Sequence, residues 1–511
     1  MMKYLSYTVL FSSLLLLFGF PSKGQTGSDS LKVDILSLPF QTAWKEISAQ
    51  PFRPYLIQQQ FGRSYVGFSN ETGEFRNNQQ QERSKNLQLF SEGLRALRGY
   101  WLEGGFSYQK VENDSLGWLL TREASSNPYN WGNIKKGNWS NDQLDIHVNV
   151  VRPVMNEKLV LGLGLQYQLQ QMARSNDPRP EIDFSELEAQ LQVGYQIHPN
   201  HLLSASARLG FNTENGSYRF YNDNNDSYGA TEYRVHTLFG LGSYDLIDYK
   251  RYRARTNTLG AGLQWHFNNK VWEVNNELAW KQASSTFKRL KTEEQVLIKD
   301  PVGDYTLSTT ENRLYMRKLE GSWQQQWVSL TTIEKGKDWN YILGGVNYFY
   351  DAFEQKITYL ISQPIKRISL EGQLAFRDQS KKDYNASHQY SFSNLLVGVK
   401  GEKAFEVQSI TYRLRVGADY RHNLTQSIQV LASQENIVTQ SVVYPEFQYN
   451  TASYIAPEAA VSAEKAFDRF RLQGRVTYQS TVPLNVISIP NSLFEPTGKR
   501  DLISFKLTFL H

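Results

Sequence analysis

The chain has 511 residues, of which 40% are apolar and 13% aromatic, with 55 basic against 50 acidic side chains, a formal net charge of +5 and a mean hydropathy of −0.51. Zero cysteines exclude a disulfide framework and a cysteine zinc site. The balanced, dispersed charge excludes nucleic acid as a partner. Past residue 20 no apolar run approaches the length of a spanning helix, so a helical membrane protein is excluded too. Low hydropathy does not exclude a membrane β-barrel, in which half of each strand and all of the loops are polar.

In chain order, residues 1–25 read as a secretory signal peptide: Lys3, an apolar run from Leu5 to Phe20, the breaker Pro21, then small and polar residues with cleavage near Gly24 or Gln25. No cysteine follows, so lipidation is not expected. Residues 26–61 are expected to form a short helix over about Gln41 to Ala49 and an extended piece broken by Pro51 and Pro54. This stretch is too short for a folded plug domain. It is expected either inside the lumen as a small hatch or at the periplasmic rim as a tether.

From about residue 62 to the end the sequence alternates with a period of two. In "LVLGLGLQYQLQQ", residues 159–171, Leu159, Leu161, Leu163, Leu165, Tyr167 and Leu169 oppose Val160, Gly162, Gly164, Gln166, Gln168 and Gln170. The same pattern recurs at 144–150, 186–197, 259–267 and 410–421, as half-apolar strands require. The first strand is placed near Ser64 to Ser69, and 290–365 holds two or three strands of unsettled bounds. The last strand is "DLISFKLTFLH", with Ile503, Phe505, Leu507 and Phe509 on one face.

The connections separate a soluble sandwich from a membrane barrel. Tight turns near 95–98, 153–157, 198–200, 268–270 and 467–468 alternate with long polar segments near 113–140, 213–253, 378–388, 424–450 and 482–499. Short turns at one end and long loops at the other are the habit of outer-membrane barrels. Aromatics at strand ends, Tyr167, Tyr195, Trp265, Phe267, Tyr412 and Tyr420, fit interfacial girdles. The fold expected is an all-β, transmembrane, antiparallel up-and-down barrel of about 16 to 18 strands over residues 62–511, with outer-membrane lipid as its solvent.

If one face meets lipid, the other lines a lumen. Glu186, Glu188, Gln166 and Gln168 are then lumen-lining. Three strands near 409–424, 452–466 and 469–481 are expected as neighbours, with Arg413, Arg415 and Arg421 on the first, Glu458 and Glu464 on the second, and Arg469, Arg471 and Arg475 on the third. An acidic strand between two arginine strands satisfies cross-strand pairing. Such a ladder either stiffens the interior or leaves a basic stripe that favours anionic solutes.

Other motifs carry no chemistry. Tyr167 stands where a G-x-G from Gly162 needs its third glycine. In the segment from Asp223, Tyr228 and Arg234 stand where a calcium loop needs Gly and Glu. "PTGKR" lacks the Ser or Thr of a phosphate loop. The eight histidines, His147 on the lumen face among them, have no placed catalytic neighbour, so neither an enzyme nor a metal, cofactor or other catalytic site is expected.

Four segments carry a resemblance: "LQLFSEGLRALRGYWLEGGFSYQK" at 87–110, "SNPYNWGNIKKGNWSNDQLDIHVNV" at 126–150, "SNDPRP" at 175–180 and the leader ending at Gln25. Through them the mature chain resembles uncharacterised outer-membrane β-barrel proteins of Bacteroidota that carry a domain of unknown function. The resemblance implies the fold, the outer membrane of a Gram-negative cell and the company of nutrient-uptake systems, with no cofactor and no catalytic residue. Two functions are expected to compete: a pore or uptake-associated barrel for a small solute, and a non-conducting accessory barrel beside an outer-membrane transporter, a secretion complex or a lipoprotein.

Overall fold

The computed structural model describes residues 37–47, 51–122, 126–225, 231–246, 249–269, 271–293 and 296–511. The expected leader lies outside them. The alternating stretches become a single antiparallel sheet of eighteen strands. Numbered in chain order, the wall consists of β1 (Phe61–Gly73), β2 (Arg83–Leu97), β3 (Tyr100–Leu116), β5 (Gly137–Val154), β6 (Leu159–Arg174), β7 (Arg179–His198), β8 (His201–Arg219), β11 (Arg251–Asn268), β12 (Trp272–Glu293), β13 (Val296–Lys318), β14 (Gln324–Asn340), β15 (Tyr348–Gln363), β16 (Ile368–Asp383), β17 (His388–Val407), β18 (Ile410–Val430), β19 (Ser453–Ala466), β20 (Arg471–Asn485) and β21 (Arg500–Leu510). Each pairs with the next, and β21 pairs with β1, Arg63 facing Leu510, so the sheet closes and leaves no edge. Three short strands, β4 (Tyr129–Gly132), β9 (His236–Phe239) and β10 (Tyr244–Leu246), form a separate small sheet. Unit 42–511 holds the whole barrel, and residues up to Gln41 form a unit of their own.

Burial alternates along each strand as the sequence does. On β6, Leu161, Leu163, Leu165 and Tyr167 are exposed, whereas Val160, Gly162, Gly164 and Gln170 are buried. On β7, Leu187, Leu191, Val193 and Tyr195 are exposed on the matching outward face. A belt of large apolar side chains of this extent exceeds what a soluble surface carries, and lipid is the solvent that accommodates it. Tyr195, Trp265, Phe267 and Tyr412 sit close to the short turns, while Tyr167 and Tyr420 sit eight and ten residues up their strands, about 20 to 25 Å along a tilted wall. That spacing matches two aromatic girdles.

At one end the connections are two to five residues long. Between β2 and β3, Arg98 and Gly99 both have positive φ, 48° and 83°, the mirror-image two-residue turn whose twist suits a hairpin. The other end carries long segments, 117–136, 220–250, 431–452 and 486–499. Several expectations need adjusting. The first strand begins at Phe61, not near Ser64. The sequence 323–350 supplies β14 and the start of β15. The supposed long segment 378–388 is mostly strand, with only 384–387 turning between β16 and β17. Outside the bilayer a strand needs no apolar face, so its polar extension reads as loop.

Candidate functional site

An eighteen-stranded barrel is wide enough for an aqueous channel. Here chain crosses the bore at both ends. At the long-loop end, β4 leaves the wall between the third and fourth strands around the barrel, yet the Tyr129 hydroxyl donates a 2.7 Å hydrogen bond to Asp338 on β14, the eleventh. Its partner strand β9 continues to the same far side: Asn347 donates to the Phe239 carbonyl at 3.2 Å, and Ser243 donates to Asp383 on β16 at 2.8 Å. Segment 431–452, with helix α3 (Tyr444–Thr451), joins from a third direction: Asn436 donates to the Gly242 carbonyl at 3.1 Å, and Asn78 to the Ser441 carbonyl at 2.7 Å. The result is a cap folded into the mouth.

The cap has its own hydrophobic core. Trp131 is 1% exposed and packs edge-on against Tyr252 of the wall, 4.7 Å between ring centroids, with Tyr218 at 5.5 Å. Tyr252 in turn stacks on Phe287 at 5.2 Å. Trp118, Leu238, Val438 and Val442 form a second cluster on the other face of the same sheet. His236 on β9 is buried against Trp118 and Tyr244. Burial first, with the Arg234 charge adding to it, pushes its imidazole down to about 4, so it is neutral at physiological pH. Between cap and wall a cavity of about 200 Å³ is lined by Arg122, Tyr129, Phe184, Glu214, Phe287 and Tyr305.

At the short-turn end residues 42–47 and 51–60 pack inside the barrel. Helix α1 (Leu38–Glu46) and helix α2 (Arg53–Ile57), started by a proline in its first turn, take the places expected for a helix near 41–49 and for an extended piece. Ala43 and Ile47 pack on Tyr315 of β13 and Val328 of β14, while Phe52, wholly buried, packs on Val151, Val160 and Leu202 across the bore. A Cβ on Gly162 would lie 2.8 Å from the Phe52 ring, and one on Gly194 2.6 Å. Gly162 of "LVLGLGL", and Gly194 on the next strand, therefore face the lumen and admit that ring. Arg53 is ion-paired with the buried Glu103 of β3 and stacks on Trp44 at 4.5 Å. Arg313 of β13 reaches Glu46 at 3.5 Å. This is a hatch of some twenty residues with a docked aromatic and two ionic latches.

Glu92, Glu103 and His147 lie close enough together to hold an ion, but Arg63 pairs with Glu92 and Arg53 with Glu103. With two guanidiniums on its carboxylates the cluster fits an ionic latch, not a metal centre.

The lumen residues named from sequence are placed as follows. Gln166, Gln168, Glu186 and Glu188 face inward, and Glu188 pairs with Arg208 at 3.3 Å. Strands β18, β19 and β20 are consecutive neighbours. Glu464 bridges Arg413 and Arg471, and Glu458 reaches Arg415 at 3.7 Å. Arg421 faces inward too, donating to the Tyr449 and Ala452 carbonyls at the foot of the cap. Arg475 points inward on β20. Arg469 does not line the lumen: it lies exposed in the turn 467–470, which the stacked rings of Phe467 and Phe470, 4.5 Å apart, hold together.

The ladder is also more neutral than the sequence implied. Glu371 of β16 pairs with Arg415 at 3.3 Å, and Lys400 of β17 with Asp419 and Glu458 at 3.3 and 3.1 Å. Lys400 and Glu371 share the inward parity of their strands, which was the signal available for finding them. The latches carried no such signal, since Arg53 precedes the alternating region.

Residues 52–511 match the family model described as a family of unknown function, DUF6850. The chain belongs to that family. No curated protein matches it. Among solved structures it is similar to the ferric preacinetobactin receptor BauA of Acinetobacter baumannii, at 8% identity over 88% of this chain and 80% of that one, with a TM-score of 0.44. It is also similar to the ferric yersiniabactin uptake receptor FyuA of Yersinia pestis, at 7% identity over 88% and 80%, with a TM-score of 0.39. The DUF6850 match takes in α2, Phe52 and the entire wall.

Proposed function

We propose that this protein is an outer-membrane uptake barrel for a small solute, closed at rest by the cap on the outside and by the hatch on the periplasmic side. The orientation follows from the connections, long loops outward and short turns inward. The observation that carries the reading is the combination of a channel-sized bore, a charged polar wall and two separate closures made from different parts of the chain. A wall built only as scaffold needs no such lining, since buried charges cost several kcal/mol each unless paired. No catalytic step belongs to this reading. The aromatic core of the cap favours a second reading, a permanently shut accessory barrel beside a transporter or lipoprotein.

Planar bilayers separate the two. The wild type is expected to be silent. A variant in which 117–136, 220–250 and 431–452 are each replaced by an Asn-Gly turn and 26–60 is removed is expected to conduct in discrete steps. A folded variant that stays silent would defeat the uptake reading, and a membrane protein co-purifying in fixed ratio would favour the accessory one.

A further inference from the structure

Two lumen cations without an ion pair face each other across neighbouring strands. Arg475 of β20 and Lys506 of β21 stand directly opposite each other in the sheet register, both pointing inward. Like charges at directly opposed positions repel, and sheets select against them. Among the described residues neither is ion-paired, although Arg413, Arg415 and Arg471 beside them all are. The inward faces of β20 and β21 contain no carboxylate to relieve the pair: they read Arg471, Gln473, Arg475, Thr477 on one and Ser504, Lys506, Thr508 on the other. The Lys506 ammonium rests 3.6 Å over the Tyr65 ring, and the Arg475 guanidinium feels Arg415 most strongly, then the carboxylates Glu402 and Glu458, then Arg413. Opposite Lys506 on β1 is Gly67, which adds no side chain of its own, and the Tyr65 ring and Gln88 border the space beside it.

We propose that Arg475 and Lys506 form an anion subsite in the lumen, taking the oxyanion of a carboxylate- or phosphate-bearing solute. A fork-shaped guanidinium and an ammonium on facing strands span one oxyanion, while Thr477, Ser504 and Gln473 supply neutral donors around it. An anion bound there removes the repulsion that the folded wall otherwise carries. The subsite deepens the uptake reading by naming the charge of the solute, but its test needs no conduction, so it can fail or stand independently of transport.

The test is thermal unfolding of the purified full-length barrel in detergent at fixed ionic strength, with chloride, inorganic phosphate or succinate as the anion. Phosphate or succinate is expected to raise the wild-type midpoint over chloride by a few degrees, the better of the two marking the oxyanion preferred. Arg475→Gln is expected to raise the midpoint in chloride, because one of two repelling charges is gone, and to abolish the phosphate and succinate increments. Arg471→Gln, which breaks a pair with Glu464, is expected to lower the midpoint and keep those increments. Equilibrium dialysis with labelled phosphate or succinate is expected to show at least tenfold weaker binding in Arg475→Gln with Lys506→Gln than in the wild type. Equal midpoints in all three anions, or increments that survive in the double variant, would overturn the subsite.

Discussion

The two closures of this barrel are built on different physics. The cap buries Tyr129, Trp131, Phe239 and their wall partners in one aromatic core and Trp118 in a second cluster, and ties three separate segments with hydrogen bonds. The hatch is one segment, with a single wholly buried ring, Phe52, and two ionic latches, Arg53 to Glu103 and Glu46 to Arg313. Apolar burial is insensitive to small charge changes in the surroundings. An ionic latch is lost once a competing charge or a partner takes one member. The cap is therefore the closure built to withstand charge changes, and the hatch the closure that a competing charge can loosen.

The largest effect is expected on the cap. Trp131→Ala removes the ring wedged between Tyr252 and Tyr218 and should cost the cap about 3 to 5 kcal/mol. The barrel wall does not depend on it. Limited proteolysis should cut 117–136 and 220–250 in the variant and spare them in the wild type, while the folded barrel still migrates as a compact species. Loss of the barrel itself would show that cap and wall are one cooperative unit, not two.

Next in size is Arg53→Ala, which leaves the buried Glu103 carboxylate without its main partner. Breaking one side of a buried pair costs about 3 kcal/mol or more, less here because Asn149 still donates to Glu103 at 2.9 Å. The readout uses the absence of native cysteine: an Ala43→Cys probe, buried against Tyr315 and Val328, is expected to react with a maleimide quickly in the Arg53→Ala background and slowly without it. Adding Glu103→Gln to Arg53→Ala should restore part of the protection. If the probe reacts equally in both backgrounds, the latch does not hold the hatch.

What could be read beforehand divides along the same line. The wall was legible because lipid on one side and water on the other impose a strict period of two, so Gln166, Glu188 and Glu464 could be placed by parity alone. Parity fails where lipid stops. The stretch Asp378 to Asp383 is polar on both faces and looks like a loop, although it is strand that rises beyond the bilayer. It also fails at turns: Arg469 has the parity of Arg471 but belongs to the turn before it. The cap was hidden because its apolar residues, in "GWLL" and "YNW", follow no single period and meet partners far along the chain, Trp131 with Tyr218 and Tyr252 among them. The hatch left one trace in advance, the glycines at 162 and 194, whose partner ring could not be named without coordinates.

A third, smaller effect distinguishes the closures by pH. His236, at about 4 in the folded cap, lies below the ordinary histidine value of about 6.5. Between those two values the unfolded segment binds the proton and the folded one does not, so cap stability is complete above about 6.5 and declines as pH falls towards 4. The decline is on the order of 3 kcal/mol at full protonation and less within that window. Proteolysis of the cap loops should accelerate over that window in the wild type and show no such step in His236→Phe. Hatch exposure, read by the Ala43→Cys probe at matched thiolate fraction, should not follow the same step.

The smallest change tests whether the hatch is seated by shape as well as by charge. Gly162→Ala places a methyl 2.8 Å from the Phe52 ring, closer than carbon atoms tolerate, on a wall strand whose backbone is fixed by hydrogen bonds on both sides. The wall cannot move, so the ring must, at a cost of about 1 to 2 kcal/mol. Faster labelling of Ala43→Cys is the expected sign of it. Phe52→Leu is itself expected to loosen the hatch slightly by leaving the pocket underfilled. Combined with Gly162→Ala it should restore protection beyond what either single change predicts, because the smaller side chain fits the space that the methyl leaves. Additive effects in that cycle would mean that Gly162 and Phe52 do not share one pocket, and the seat of the hatch would then be the ionic latches alone.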